Sequence, residues 1–167
     1  MITFTDGDRD MKRVLAIVLS ILAAPSFANN DVSTISLAKA AVTKILETRY
    51  KPDECAKWKI LASAGSISQA NALAKCDNDF NPGYGLDFSS VEVKRTDNFD
   101  SVCGIVSGRT ELSRIGARFV YDVKSGSVTL KPSKYPMYSL ASSGEFGKNQ
   151  INLENKQYEL VYSSKCK

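Results

Sequence analysis

Apolar and polar positions follow two rhythms along this chain. In "NNDVSTISLAKAAVTKILETRY", Ile35, Ala38, Ala41, Val42, Ile45 and Leu46 fall on one stripe, with Lys39, Thr43, Lys44 and Glu47 opposite. That 3.6-residue period predicts an amphipathic helix with Asp31 or Ser33 as its cap. Pro52, followed by Asp53 and Glu54, predicts the start of a short second helix through Trp58. Proline suits a first helical turn, and acids there oppose the positive end of the helix dipole. Ser66 and Gln69 have capping-box spacing and open a third helix that ends near Cys76.

From Leu86 onward the period shortens to two and β-branched residues replace alanine. The runs 89–96, 102–107, 117–124, 127–131, 137–141 and 157–163 read as strands, with a tight hairpin turned at Ser125 and Gly126. Helices first and strands later predict an α+β domain, its antiparallel sheet covered on one face by the first helix. The only tryptophan, Trp58, is expected to pack on that sheet.

A different pattern precedes the first helix. Met11 is followed by Lys12 and Arg13, then by an apolar stretch from Val14 to Ala24 broken by Ser20, then by Ser26-Phe27-Ala28. A basic start, a short apolar core and a small-x-small box make a secretory signal peptide. The apolar core is about half of what a membrane span needs. Met11 reads as the natural start, because "MITFTDGDRD" is too acidic for the leading edge of an export signal. Residues 1–28 are then leader, and taking 28 from 167 leaves 139 residues, enough for one domain with its own core. No cysteine follows the cleavage box, so a lipid anchor is not indicated and no membrane contact is expected once the leader is cut.

All four cysteines, Cys55, Cys76, Cys103 and Cys166, lie after the leader, and an even count in an exported chain predicts disulfides. The two early cysteines belong to the helical half and the two late ones to the sheet half. Local pairing, 55 with 76 and 103 with 166, needs the least rearrangement. A metal site is not expected, because the chain has no C-x-x-C pair and no histidine. Gly104, beside Cys103, marks a close backbone approach or a bulge.

The missing histidine also excludes Ser-His-Asp and Cys-His catalysis. "SLAK" at 36–39 matches the S-x-x-K pairing of serine and lysine but lacks its companion motifs. Asp77, Asp79 and Asn81 alternate as in a calcium loop, yet Gly83 falls one place late and position twelve is Phe88. Asp53 with Glu54, or Asp77 with Asp79, could supply paired carboxylates, although a helix start and a turn account for them. No cofactor is implied. A net charge of +4 is too mild for nucleic-acid binding and suits an acidic ligand or another protein.

The candidate recognition elements are the loop "GRTELSRIGAR", with Arg109, Glu111, Arg114 and Arg118, and three tyrosines in proline-marked segments, Tyr84, Tyr135 and Tyr138. Arginine forks bind carboxylates bidentately, and tyrosine offers contact area with little entropy to lose. The stretch "VCGIVSGRTELSRIGARFVYD" resembles a pattern in small exported bacterial proteins of uncharacterised function: a V-C-G-x-V strand, a glycine-containing loop and an F-V-Y strand. The resemblance spans 86–131 and implies a small α+β fold and bacterial export, with no activity attached. The reading is therefore a non-catalytic periplasmic or secreted binding protein, an inhibitor or immunity-type partner of another protein. The alternative is a small cell-wall or glycan-acting enzyme using carboxylates.

Overall fold

A computed structural model describes residues 27–77, 79–134 and 144–167. Most of the expected leader, the strand expected at 137–141, Tyr135 and Tyr138 lie outside these residues. The chain divides into two units, Met1–Asn30 and Asp31–Lys167, and the second holds the sheet and both hydrophobic clusters.

Four antiparallel strands, β1 (Asp87–Arg95), β2 (Asp100–Arg109), β3 (Arg114–Asp122) and β4 (Val128–Pro132), form a sheet in sequence order. Helix α1 (Phe27–Arg49) lays Ala38, Val42 and Leu46 against Val102, Val106, Ala117, Phe119 and Tyr121 on one sheet face. Its polar and apolar positions agree with the sequence pattern, but Asp31 and Ser33 lie inside the helix and do not cap it. Asp31 instead forms an ion pair with Arg95 of β1. A bulge in β1 between Ser89 and Glu92, with Ser90 at φ 50°, shifts the alternation. It lets Phe88 on one side and Val91 and Val93 on the other all reach the same core.

Helices α2 (Pro52–Ser63) and α3 (Gln69–Cys76) pack on each other as a hairpin, closed by the Cys55–Cys76 disulfide. Ser68 caps α3, its Oγ accepting from the Asn71 N–H at 3.1 Å. Ser66 is not the cap, because the backbone turns through Gly65 at φ 75° before the helix begins. Trp58 stays on this hairpin, with the Lys75 ammonium 5.0 Å over its ring, and belongs to neither hydrophobic cluster of the sheet.

The segment expected as a last strand is helix α4 (Gly144–Lys165). Tyr158, Leu160 and Tyr162 alternate, but Leu160 is exposed while Tyr158, Val161 and Tyr162 pack around Cys103, Val120 and Cys166. Spacing of three and four, not two, therefore orders the buried side chains. So α4 covers part of the sheet face opposite α1, a second helical layer that the sequence pattern did not predict. Its end is held three ways: the Cys103–Cys166 disulfide, the Lys165 ammonium on the Asp122 carboxylate, and the Ser101 hydroxyl donating to the Lys165 carbonyl at 2.7 Å.

Candidate functional site: an arginine-bearing sheet face

The β2–β3 loop is held rigid from the helical side. Thr110 is buried; its Oγ1 accepts from the N–H groups of Leu112 (3.1 Å) and Ser113 (2.9 Å) and donates to Asp77 Oδ1 at 2.5 Å. Ser113 Oγ donates to the same oxygen at 2.7 Å, and Lys134 Nζ to the other at 2.7 Å. Burial works to raise the Asp77 pKa, but these three donors together outweigh it and hold the carboxyl below its usual range. Next to this clasp, Glu111 Oε1 accepts from Tyr50 OH at 2.6 Å and Asn81 Nδ2 at 2.7 Å. The hydrogen bond to Glu111 is the main cause that pushes the Tyr50 phenol up to about 12. Glu111 thus serves inside the molecule and does not stand with the arginines.

Strand alternation carries Arg109, Arg114 and Arg118 to the face opposite α1. Ile115, Ala117 and Phe119 point into the core from the intervening positions. Arg109 lies directly across from Arg114, and Arg118 lies between Ile105 and Lys131 in the register. All three arginines are exposed, and none has an ion-pair partner among the described residues. Lys131 is already neutralised by Glu159 at 2.6 Å. Tyr84, in a single 3₁₀ turn (Pro82–Tyr84), is exposed with its ring centroid 6.0 Å from the Arg109 guanidinium. The structure therefore brings three of the seven predicted recognition residues, Arg109, Arg114 and Tyr84, to one end of the sheet, and places Arg118 mid-strand on the same face as Arg114.

Three features beside them are not predicted as site residues: Ile105, Gly116 and Lys131. Period two within "RIGARFVYD" already places Arg114, Gly116 and Arg118 together, so that much is legible; the contributions of β2 and β4 depend on register. Arg118 and Ile105 line two hollows. One, about 380 Å³, runs over Gly116 toward Pro132 and Ser133; the other, about 280 Å³, runs toward Tyr162 and the Cys103–Cys166 disulfide.

Carboxylates gather elsewhere. Glu54, Asp79 and Glu111 line a crevice of about 20 Å³. That is room for a water and not for a sugar ring. A cleft of about 650 Å³ has Leu46, Phe80, Ile115 and Leu130 in its lining and Arg49, Asp79 and Glu154 among its polar groups. Partial desolvation, with Glu54 nearby, pushes the Asp79 carboxyl up although the residue is exposed. Among the described residues no cluster of His, Cys, Asp and Glu could hold a metal ion, and no helix is long and apolar enough to cross a membrane. No protein-family model, curated protein or solved structure matches the chain.

Proposed function

We propose that this protein is a non-catalytic exported binding protein that grips an acidic surface of another protein through the arginine-bearing half of its sheet, as an inhibitor or immunity-type partner does. The observation that carries the reading is the juxtaposition of Arg109 and Arg114. Like charges directly opposite on a ladder destabilise a sheet, and among the described residues neither forms an ion pair with an acid. A local cost without a local gain is the mark of a site kept for binding. Export rests on the leader pattern and agrees with both cysteine pairs being bridged. Planar arginine forks suit carboxylates.

The test is Arg114→Glu. It turns the repulsive pair into an attractive one and is expected to stabilise the fold by about 0.2–1 kcal/mol. The same change should abolish capture of the partner from periplasmic and secreted fractions. Unchanged capture, or loss of capture accompanied by loss of stability, overturns the reading.

A second reading, a small glycan-acting enzyme, draws on the raised Asp79 carboxyl in the same cleft as Glu154. Release of soluble fragments from peptidoglycan by the protein, lost in Asp79→Asn, would favour it.

A further inference from the structure

Two strand glycines differ in what they are for. At Gly104 an added Cβ would lie 2.8 Å from the Phe119 ring, so packing requires glycine there. At Gly116 the nearest atoms to an added Cβ are Val106 O at 3.6 Å, Ser107 Oγ at 3.8 Å and Ser133 Oγ at 3.9 Å, which is ordinary contact. Its φ lies outside the left-handed region as well. Neither backbone conformation nor crowding calls for glycine at 116, although glycine inside a strand lowers stability.

What Gly116 does is leave a trough. It lies opposite Ser107 in the ladder, accepts from the Ser133 N–H at 2.7 Å and donates to Ser133 Oγ at 3.1 Å, so Ser107, Gly116 and Ser133 form a row of small residues across the sheet. One wall is the Arg109–Arg114 pair; the other is Ile105, Arg118 and Lys131. Along β3 the two walls are separated by about 13 Å, four residues of strand rise. Asp87, paired with Ser107, closes the row on the β1 side, and Glu159 of α4 pairs with Lys131 and acts on Arg118, so negative charge is disfavoured over Ser107 and favoured over Gly116, on the side of Arg114.

We infer that the trough over Gly116 seats an acidic side chain projecting from the protein partner, its carboxylate forked by Arg118 from one wall and Arg114 from the other. This rests on the function proposed above and deepens it, making Gly116 the residue that determines fit while the arginines supply attraction. Ile105 gives the entering side chain an apolar rest, being 37% exposed beside Arg118.

The experiment titrates the purified, oxidised protein with poly-L-glutamate and follows its backbone amides by NMR. Shifts centred on Ser107, Gly116 and Ser133 are expected. Gly116→Val should weaken binding by at least about tenfold while the melting temperature is kept or raised. Ser107→Val narrows the same trough without touching a glycine and should act alike if the first variant folds poorly. Undiminished binding by folded Gly116→Val and Ser107→Val, with binding lost in the triple variant Arg109→Glu, Arg114→Glu, Arg118→Glu, overturns the trough and leaves the cationic face standing. Binding untouched by all three variants overturns both. The same amides responding to heparin or to phosphatidylglycerol vesicles, and not to poly-L-glutamate, replaces the protein partner by a sulfated glycan or a lipid surface and also overturns the inference.

Discussion

Tyr158 is buried with a hydroxyl that has no hydrogen-bond partner among the described residues, and burial pushes its pKa up to about 12. An unpaired buried hydroxyl costs more than it contributes, so Tyr158→Phe is expected to stabilise the fold by about 1 kcal/mol in urea unfolding. The opposite holds at Thr110, whose hydroxyl joins two backbone N–H groups and Asp77. Thr110→Val keeps the shape and strands those groups, and a loss of about 1–3 kcal/mol by the same measurement is the expected outcome. Residue types at both positions were readable, but their partners were not. Asp77 and Asn81 were legible as turn formers; that they reach across about thirty residues to hold Thr110 and Glu111 follows only from the packing of the helical hairpin beside the β2–β3 turn.

At the level of elements, the three-way anchor of α4 makes a pH prediction. Hydrogen bonds from Lys165 and from the Ser125 N–H hold the Asp122 carboxyl down to about 2. Its folded pKa is depressed, so the stability it contributes is present above the unfolded value near 3.8 and is lost as pH falls toward 2. Asp122→Asn should therefore flatten the fall of stability with acid between about pH 4 and pH 2, read by denaturant titration at each pH. In the hairpin of α2 and α3, Ile60, Leu61 and Leu73 are exposed and only Ala62, Ala72 and Cys76 are buried, too little apolar area to hold two short helices together. The Cys55–Cys76 bridge closes a separation of 21 residues, a restriction of the unfolded chain of about 3 kcal/mol. Replacing both cysteines by alanine should expose the amides of 52–76 to hydrogen exchange while those of β2 and β3 keep their protection. The disulfide pairing was legible from position in the chain even though the element carrying Cys166 was misread. Pairing depends on which half of the fold each cysteine joins, whereas "YELVY" satisfies both a period of two and spacings of three and four, and only burial decides between them.

For the molecule as a whole, α1 and α4 divide the sheet's surface unequally. One face is filled by α1; on the other, α4 packs at Cys103 and Val120 and reaches Lys131 of β4 through Glu159, while Arg109 and Arg114, where β2 ends and β3 begins, are exposed. If the arginines grip an acidic partner as proposed, its capture should decline steeply when salt rises above physiological strength; insensitivity would count against an acidic surface. The covered face was legible in the periodicity of α1, and the open one only in the alternation of β3. The two crosslinks, finally, neither overlap nor enclose one another: 55 joins 76, and only later along the chain does 103 join 166. In a chain exported amino end first, as proposed above, Cys55 and Cys76 would emerge together before Cys103, and the first ring would close with no competing thiol in reach. On the export proposed above, order of emergence favours this pairing over the other two ways four thiols can be joined.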